Sequence, residues 1–310
     1  MAWGIPEHLE FTPKLILRYD NGYVAVGVDG ELQKILPDGT LVGKPVRPFP
    51  TPIRDAVIVN HTLIATWLDH ELLLARMAAL DLRNDFTAGV NRGELRVRRT
   101  IDKSLHPVGN EWSHVLDAEP ISLQSNSDSF SFVLWRKGVY NLSTNSVENW
   151  RAPEPNWPKL AKIPRAMETV ATTCSDDTFE IWSKGGGLMS FDVKSGDIIE
   201  QKTLELDGYV NQVFKDGEHH LILYNNSHVA LYENSEVILN AKLSGPINYA
   251  EWDDKQKGWH IAGWRELLFL SLSKQDRIPL QEIAVFIDAK TGLYLCNNGV
   301  WDIIDSREEE

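Results

Sequence analysis

A β-hairpin pattern recurs along the whole length of this chain. Most of the second strands of these hairpins carry apolar residues placed for a sheet and are followed by a polar turn. They open at seven anchor positions, namely Leu32, Leu72, Val139, Leu188, Val229, Leu267 and Val300. The anchors are roughly 40 residues apart except in the second interval, which is the spacing typical of a four-stranded repeat.

Each hairpin follows a further apolar segment, and a fourth strand follows most of the polar turns. In the fourth repeat the segments are ETVATT, TFEIW, GLMSFD and DIIEQKTL. The last repeat has no fourth strand after GVWDII, whereas HLEFTP precedes the first complete repeat. Pairing HLEFTP with the last repeat supplies that strand and removes an exposed edge. We therefore predict an all-β fold, a seven-bladed β-propeller of four-stranded antiparallel blades, closed by an N-terminal strand that completes the last blade.

The long second interval is the exception to the regular spacing. We interpret 82–93 as a loop, ELRVRRTI as the fourth strand of blade 2, and 104–115 as a second loop. The preceding LLLARMAALDL is built of good helix formers, but MAALDLRND aligns with LMSFDVKSG of blade 4, which favours a strand. An eighth blade in this interval would lack an apolar inner strand. The prediction is one domain, 1–310, with a long loop insertion at about 82–115 and an acidic tail at 306–310.

At the level of architecture the repeats resemble the WD40 and PQQ-repeat group of β-propellers. Blade 4, GGGLMSFDVKSGDIIEQ, is most similar to a PQQ-type repeat. The resemblance covers nearly the whole chain, but the Trp-Asp pair at Trp301 and Asp302 occurs once and has no Gly-His pair at the expected spacing. Because PQQ-like repeats are common in proteins that bind no quinone, the resemblance implies no cofactor, and we predict none.

The charge balance narrows the choice of partners. Arg and Lys total 31 against 44 Asp and Glu, a formal charge of -13, and such a field repels nucleic acid and anionic membrane surfaces. The N-terminus lacks a basic start followed by an apolar run, and no stretch is apolar enough for a membrane span. The two cysteines, Cys174 and Cys296, are interpreted as small apolar strand residues. We expect a soluble, cytoplasmic monomer that binds another protein, without nucleic acid or membrane as partners.

In propellers, the loops between second and third strands gather on one face, beside the loops that connect blades. On this face we predict binding-surface candidates of mixed charge: Asp69, His70, Glu71, Arg136, Lys137, Asn225, Asn226, His228, Arg265, Glu266 and Asn297. Asp69, His70, Glu71, Asn225 and Asn297 could converge on a divalent cation, which takes carboxylate and amide oxygens from separate loops. The alternative, which we favour, is a set of solvated turns with no metal.

Two further groups of residues have both a structural and a functional interpretation. Aromatic residues near the ends of five second strands, Trp67, Trp135, Trp182, Tyr224 and Trp264, either pack between blades or form stacking surfaces for a ligand. We favour packing. The basic residues Arg92, Arg96, Arg98 and Arg99 either dock an acidic partner or form the charged face of an outer strand that resists aggregation.

The sequence contains no arrangement typical of nucleophilic or metalloprotease catalysis and no glycine-rich phosphate loop. We therefore predict a non-catalytic protein-protein interaction scaffold and assign no catalytic residues. Two alternatives remain open at this point: a metal-dependent hydrolase or lyase at the channel mouth, and a binder of small molecules or glycans.

Overall fold

The chain folds as an all-β protein, a seven-bladed β-propeller. The computed structural model describes residues 4–20, 22–98 and 105–304. Within these ranges the strands form seven sheets, six of four strands and one of three. Both the number of blades and the shorter last sheet confirm the prediction from the repeat.

The strands follow one another in chain order within each sheet. Blade 1 comprises β1 (Pro13–Tyr19), β2 (Gly22–Gly27), β3 (Leu32–Ile35) and β4 (Leu41–Val46). Blade 2 comprises β5 (Ile53–Val59), β6 (Thr62–Asp69), β7 (Leu74–Asp81) and β8 (Asn110–Val115). Blade 3 comprises β9 (Pro120–Ser125), β10 (Ser129–Leu134), β11 (Gly138–Ser143) and β12 (Glu148–Ala152). Blade 4 comprises β13 (Thr169–Cys174), β14 (Thr178–Ser183), β15 (Gly187–Asp192) and β16 (Ile198–Thr203).

The remaining blades have the same order. Blade 5 comprises β17 (Val210–Asp216), β18 (His219–Tyr224), β19 (His228–Glu233) and β20 (Glu236–Lys242). Blade 6 comprises β21 (Ile247–Asp253), β22 (Gly258–Gly263), β23 (Glu266–Leu270) and β24 (Gln275–Pro279). Blade 7 comprises β25 (Ala284–Ile287), β26 (Leu293–Cys296) and β27 (Trp301–Ile303). The helical segments among the described residues are α1 (Arg92–Arg98) and a 3-10 turn (Pro158–Leu160), and neither is long and apolar enough to cross a bilayer.

The chain divides into two compact units. One contains Val46–Val213 and Ile222–Asn226, and therefore blades 2, 3 and 4. In this unit the side chains of neighbouring blades interlock in two apolar clusters, one around Phe130 and one around Phe179. The middle strands are buried on both faces because each face packs against a neighbouring blade, whereas the outer strand β16 is mostly exposed. This unit holds the candidate site.

The other unit contains Met1–Pro45, Phe214–Leu221 and Ser227–Glu310. Its core joins blades 7 and 1 around Tyr23, Phe286 and Trp301. The N-terminal segment joins this core through Leu9, whose side chain is buried and whose N–H donates to the carbonyl of Gly299 at 3.0 Å. The segment thus completes blade 7 as predicted, but as an extended stretch without a regular strand ladder.

Blade 2 confirms one sequence prediction and corrects another. The segment Leu74–Asp81 is a strand, and Asp81 lies opposite Thr62 as Asp192 lies opposite Thr178 in blade 4, so the alignment of the two repeats is confirmed. The prediction that ELRVRRTI forms the fourth strand is wrong. Its first residues belong to α1, and the fourth strand is β8, inside the segment predicted as a second loop.

Local chemistry explains the helix in the insertion. Asn91 and Glu94 form a reciprocal capping box, in which each side chain accepts the backbone N–H of the other at 2.9 to 3.0 Å. Leu95 is buried, which fixes one side of α1 to the protein. The predicted alternation of Arg96 and Arg98 on a strand therefore does not exist. Arg99 and the tail from 305 onward lie outside the described residues.

Candidate functional site

A cavity of about 380 Å³ opens between the hairpin tips of blades 2 and 3. Its walls are the loop between β6 and β7, the loop between β10 and β11, and the connection from β8 to β9. Apolar side chains form much of the lining, among them Leu68, Leu74, Leu116 and Ala118. We refer to this cavity, with Leu73 and Trp135 at its edge, as the blade 2–3 cleft.

The tip of blade 2 presents a leucine in an unusual conformation. The Asp69 carboxylate accepts the backbone N–H of Leu72 at 3.0 Å, and the N–H of Leu73 donates to the carbonyl of His70 at 3.3 Å. Leu73 has φ of 47° and is 86% exposed. A left-handed conformation is unfavourable for a residue with a large side chain, and an exposed leucine gains nothing from burial to offset it. Such a residue is therefore a candidate for contact with a ligand.

The tip of blade 3 presents a tryptophan and an arginine together. The backbone N–H of Trp135 donates to the carbonyl of Glu119 at 2.9 Å, which joins the tip to the connection between blades 2 and 3. The Trp135 side chain remains 51% exposed. The guanidinium carbon of Arg136 lies 4.4 Å from the centroid of the indole ring, a cation-π contact. This contact holds both side chains at the cleft.

Helix α1 lies against the tip of blade 2 and neutralises its carboxylates. Arg92 donates to Asp69 at 2.7 Å and to Glu71 at 2.9 Å, and Arg96 also pairs with Glu71. The Asp69 side chain is nearly buried, so a nearby cation is needed to offset the loss of its hydration. Two groups that the sequence offers as separate candidates, the acidic tip and the basic segment, are thus bound to each other.

A second ion pair lies at the mouth of the cleft. The ammonium group of Lys137 donates to Asp117 at 2.8 Å. This hydrogen bond lowers the pKa of Asp117 and raises the pKa of Lys137 relative to their ordinary values. Both side chains are largely exposed, so water and salt screen their attraction and either group can exchange its partner for a ligand.

The predicted binding-surface residues divide according to where the structure places them. Asp69, His70, Arg136 and Lys137 come together in the lining of the blade 2–3 cleft, and Glu71 lies beside it in the contact with α1. Asn225 and Asn226 belong to the same unit as the cleft, but they are exposed at the tip of blade 5 and do not line it.

In the other unit, which contains Ser227–Glu310, two of the predicted residues are engaged inside the protein. Glu266 is buried and accepts hydrogen bonds from Ser244 and Arg277, and the Asn297 side chain accepts the backbone N–H of Ile283. Arg265 is exposed and His228 is half-buried. The described residues contain no cluster of three or more His, Cys, Asp or Glu side chains that could hold a metal ion.

The five aromatic residues do not behave alike. Trp67, Trp182 and Tyr224 are buried, which confirms the packing interpretation for these three. For Trp135 and Trp264 that interpretation is wrong, because both are about half exposed. These two share a local pattern that the others lack: each is followed by an arginine with positive φ, Arg136 or Arg265. The dipeptide Trp-Arg at a hairpin tip is the signal that could have separated them from the core aromatics.

Sequence reasoning missed other contributors to the site. Leu73 and Leu74 belong to a run that reads as core, and only the turn conformation exposes Leu73 while Leu74 contributes to the cleft wall. Leu116 and Ala118 lie between the predicted loop at 104–115 and blade 3, in a stretch to which the sequence pattern assigned no element. The capping pattern Asn-Arg-Gly-Glu at 91–94 could have revealed α1, and with it the pairing of Arg92 to the acidic tip.

Solved structures of other propellers match the fold described above. The β-propeller domain of Cps50 (Swd1) from Myceliophteria thermophila has a TM-score of 0.67 at 13% identity, with 95% of this chain and 97% of that chain covered. The WD40 β-propeller domain of Doa1 has a TM-score of 0.62 at 12% identity, with 98% and 96% covered. BamB from Moraxella catarrhalis has a TM-score of 0.54 at 10% identity, with 90% and 80% covered. At these identities the likeness shows the fold alone.

These similarities confirm the architectural resemblance to both WD40 and PQQ-type propellers. No protein-family model and no curated protein sequence matches the chain. A function must therefore be argued from the cleft itself.

Proposed function

We propose that this protein is a non-catalytic interaction module that binds another protein at the blade 2–3 cleft. The observation that carries the proposal is the pair of exposed apolar side chains, Leu73 and Trp135, at the edge of one cavity. Tryptophan and arginine are enriched among the residues that dominate binding energy in protein interfaces. Trp135 and Arg136 supply both in one stacked pair.

The arrangement of charge around the cleft fits this proposal better than a catalytic role. Asp69 and Glu71, the carboxylates that a metal-dependent reaction would need, are held by Arg92 and Arg96. An apolar floor with a partly charged rim is the usual anatomy of a protein interface. The similar WD40 propeller domains of Swd1 and Doa1 add a precedent of fold and nothing specific about a ligand.

The proposal is tested by affinity capture from native lysate with three baits: the natural protein, Trp135→Ala and Trp264→Ala. Trp264 is the matched control, because it occupies the same hairpin position in blade 6, is 48% exposed and precedes an arginine with positive φ. We expect the natural protein and Trp264→Ala to retain the same proteins and Trp135→Ala to lose them, with at least about a tenfold drop in affinity.

Both substitutions remove half-exposed rings, so circular dichroism should show folded proteins in each case. Equal retention by all three baits would overturn the assignment of the cleft. Loss that follows Trp264→Ala instead would move the interaction surface to blade 6.

A further inference from the structure

The blade 2–3 cleft has the size and lining to receive one large side chain. Its volume of about 380 Å³ is near the lower end of ligand pockets, which range from roughly 300 to 1,000 Å³. Leu68, Leu74 and Leu116 contribute apolar surface to the interior, and Leu73 and Trp135 extend that surface outward. A cavity of this kind accommodates an aliphatic or aromatic side chain together with the backbone that carries it.

Three of the carboxylates at the cleft are already paired with cations of the protein. Arg92 and Arg96 hold Asp69 and Glu71, and Lys137 holds Asp117. Since each of these carboxylates has a cation within hydrogen-bond distance, an approaching negative group meets little net repulsion from them.

Arg136 differs from the other cations at this site. Among residues 4–20, 22–98 and 105–304, no carboxylate forms an ion pair with it, and its guanidinium is held in place by the Trp135 ring. A guanidinium is the group best suited to bind a carboxylate through two parallel hydrogen bonds. Stacking on the indole limits its freedom before a ligand arrives, which lowers the entropy cost of binding. His70 also lines the cleft and adds a second group able to donate to an anion.

One anion works against a negative ligand. Glu119 lines the cleft on the connection between blades 2 and 3 and is half-buried. Neutralising this carboxylate therefore reports the sign of the ligand's charge. It strengthens the binding of an acidic segment and weakens the binding of a basic one.

We propose that the cleft binds a short acidic segment of a partner protein, in which a large apolar side chain is adjacent to an aspartate or glutamate. The apolar side chain enters the cavity between Leu73 and Trp135, and the neighbouring carboxylate bonds to Arg136. This inference rests on the proposed function, because it names the chemistry of the partner at the same site.

The test uses fluorescence anisotropy with three pools of labelled nine-residue peptides. Every peptide has Leu, Phe or Trp at the centre and flanks that contain Gly and Ser. The flanks of the acidic pool also contain Asp and Glu, those of the basic pool contain Lys and Arg, and those of the neutral pool contain neither. At an ionic strength of about 0.15 M, where the long-range field of the acidic chain is screened, we expect the acidic pool to bind at least tenfold more tightly than the basic pool.

Four variants of the full chain locate the contact. Arg136→Ala should weaken the acidic pool about tenfold or more, and Glu119→Gln should strengthen it severalfold. Trp135→Ala should abolish binding. Arg265→Ala is the matched control, because Arg265 also has positive φ, at 57°, and also follows an exposed tryptophan. This substitution should leave the affinity of every pool unchanged.

The outcomes separate this inference from the proposed function. Three results would overturn the inference that the ligand is an acidic segment. These are preference for the basic pool, an equal effect of Arg136→Ala and Arg265→Ala, and no binding by any pool. If capture from lysate still depends on Trp135 in any of these cases, the interaction module remains and only its ligand class is wrong. If neither measurement depends on Trp135, both proposals fail.

Discussion

The hairpin tips of the seven blades share one backbone conformation but differ in the residue that adopts it. In every blade, the loop between the second and third strands contains a residue with positive φ: Gly30, Leu73, Arg136, Gly186, Ser227, Arg265 and Gly299. Glycine adopts this conformation at no steric cost, whereas other L-residues lose about 1 to 2 kcal/mol. Blade 2 uses a leucine there and exposes it, so its side chain is retained at some cost to stability, as expected of a binding residue.

Replacing Leu73 with asparagine should therefore separate stability from binding. Asparagine adopts positive φ more readily than leucine, and little packing is lost because Leu73 is exposed, so Leu73→Asn should raise the free energy of unfolding by about 0.5 to 1 kcal/mol. Urea unfolding measures this gain, and the affinity for the acidic peptide pool should fall in the same variant. Leu73→Ala is the control, since it removes the side chain but keeps a β-carbon at positive φ. A less stable Leu73→Asn would mean that the leucine packs against the protein despite its exposure.

At the scale of elements, the insertion in blade 2 determines what the cleft presents to solvent. Its backbone is tied to the connection after blade 1, where the N–H of Gly89 donates to Arg47 at 2.8 Å and that of Val108 to Pro48 at 3.0 Å. Helix α1 is too short to be stable alone, so its order depends on Leu95, the capping box and the ion pairs with the hairpin tip. The insertion thus converts an acidic hairpin tip into a neutral one.

Removal of Arg92 should loosen this arrangement. Arg92→Ala leaves the nearly buried Asp69 carboxylate without its cation, and we expect the free energy of unfolding to fall by about 1 kcal/mol. Amide hydrogen exchange should become several times faster within 92–97, and the acidic peptide pool should bind more weakly because Asp69 then repels it. Arg83→Ala is the control, since Arg83 belongs to the same insertion but pairs with Asp81 in an exposed turn. Unchanged exchange in Arg92→Ala would show that Leu95 alone holds the helix.

At the scale of the whole chain, an N-terminal residue is built into the last blade. Leu9 is buried with Phe286, Leu293 and Trp301, and its carbonyl lies against Gly299. A β-carbon on Gly299 would lie 2.3 Å from the Leu9 oxygen, so a glycine is needed there for close approach as well as for its φ of 84°. This single contact joins positions separated by nearly the whole sequence.

Two glycine substitutions in blade 7 should measure how much the contact between Leu9 and Gly299 contributes to the free energy of unfolding. Gly292 has φ of 74°, but a β-carbon there would meet no atom closer than 4.0 Å, so Gly292→Ala costs only the backbone strain, about 1 kcal/mol. Gly299→Ala adds a clash with Leu9, and we expect it to be destabilising by at least about 1 kcal/mol more. Chemical denaturation of both variants is repeated in chains that lack residues 1–10. The comparison gives the coupling free energy between position 299 and the N-terminal segment. An excess cost that persists after truncation would contradict a role for the N-terminal segment in closure.

The all-β class, the seven hairpins and the use of the N-terminal segment in blade 7 could all be predicted from the order of the residues. The class and the hairpins follow from short-range physics, namely alternation of apolar residues and turn chemistry, and the N-terminal pairing follows from the need to cover a sheet edge. The repeat in blade 2 was readable for the same reason, since MAALDLRND and LMSFDVKSG share strand and turn. The rest of blade 2 depends on long-range contacts, because the stability of α1 depends on Asp69 and Glu71, more than twenty residues earlier in the sequence. Tertiary packing also buried Trp67 and exposed Trp135, and so formed the blade 2–3 cleft from three separate loops.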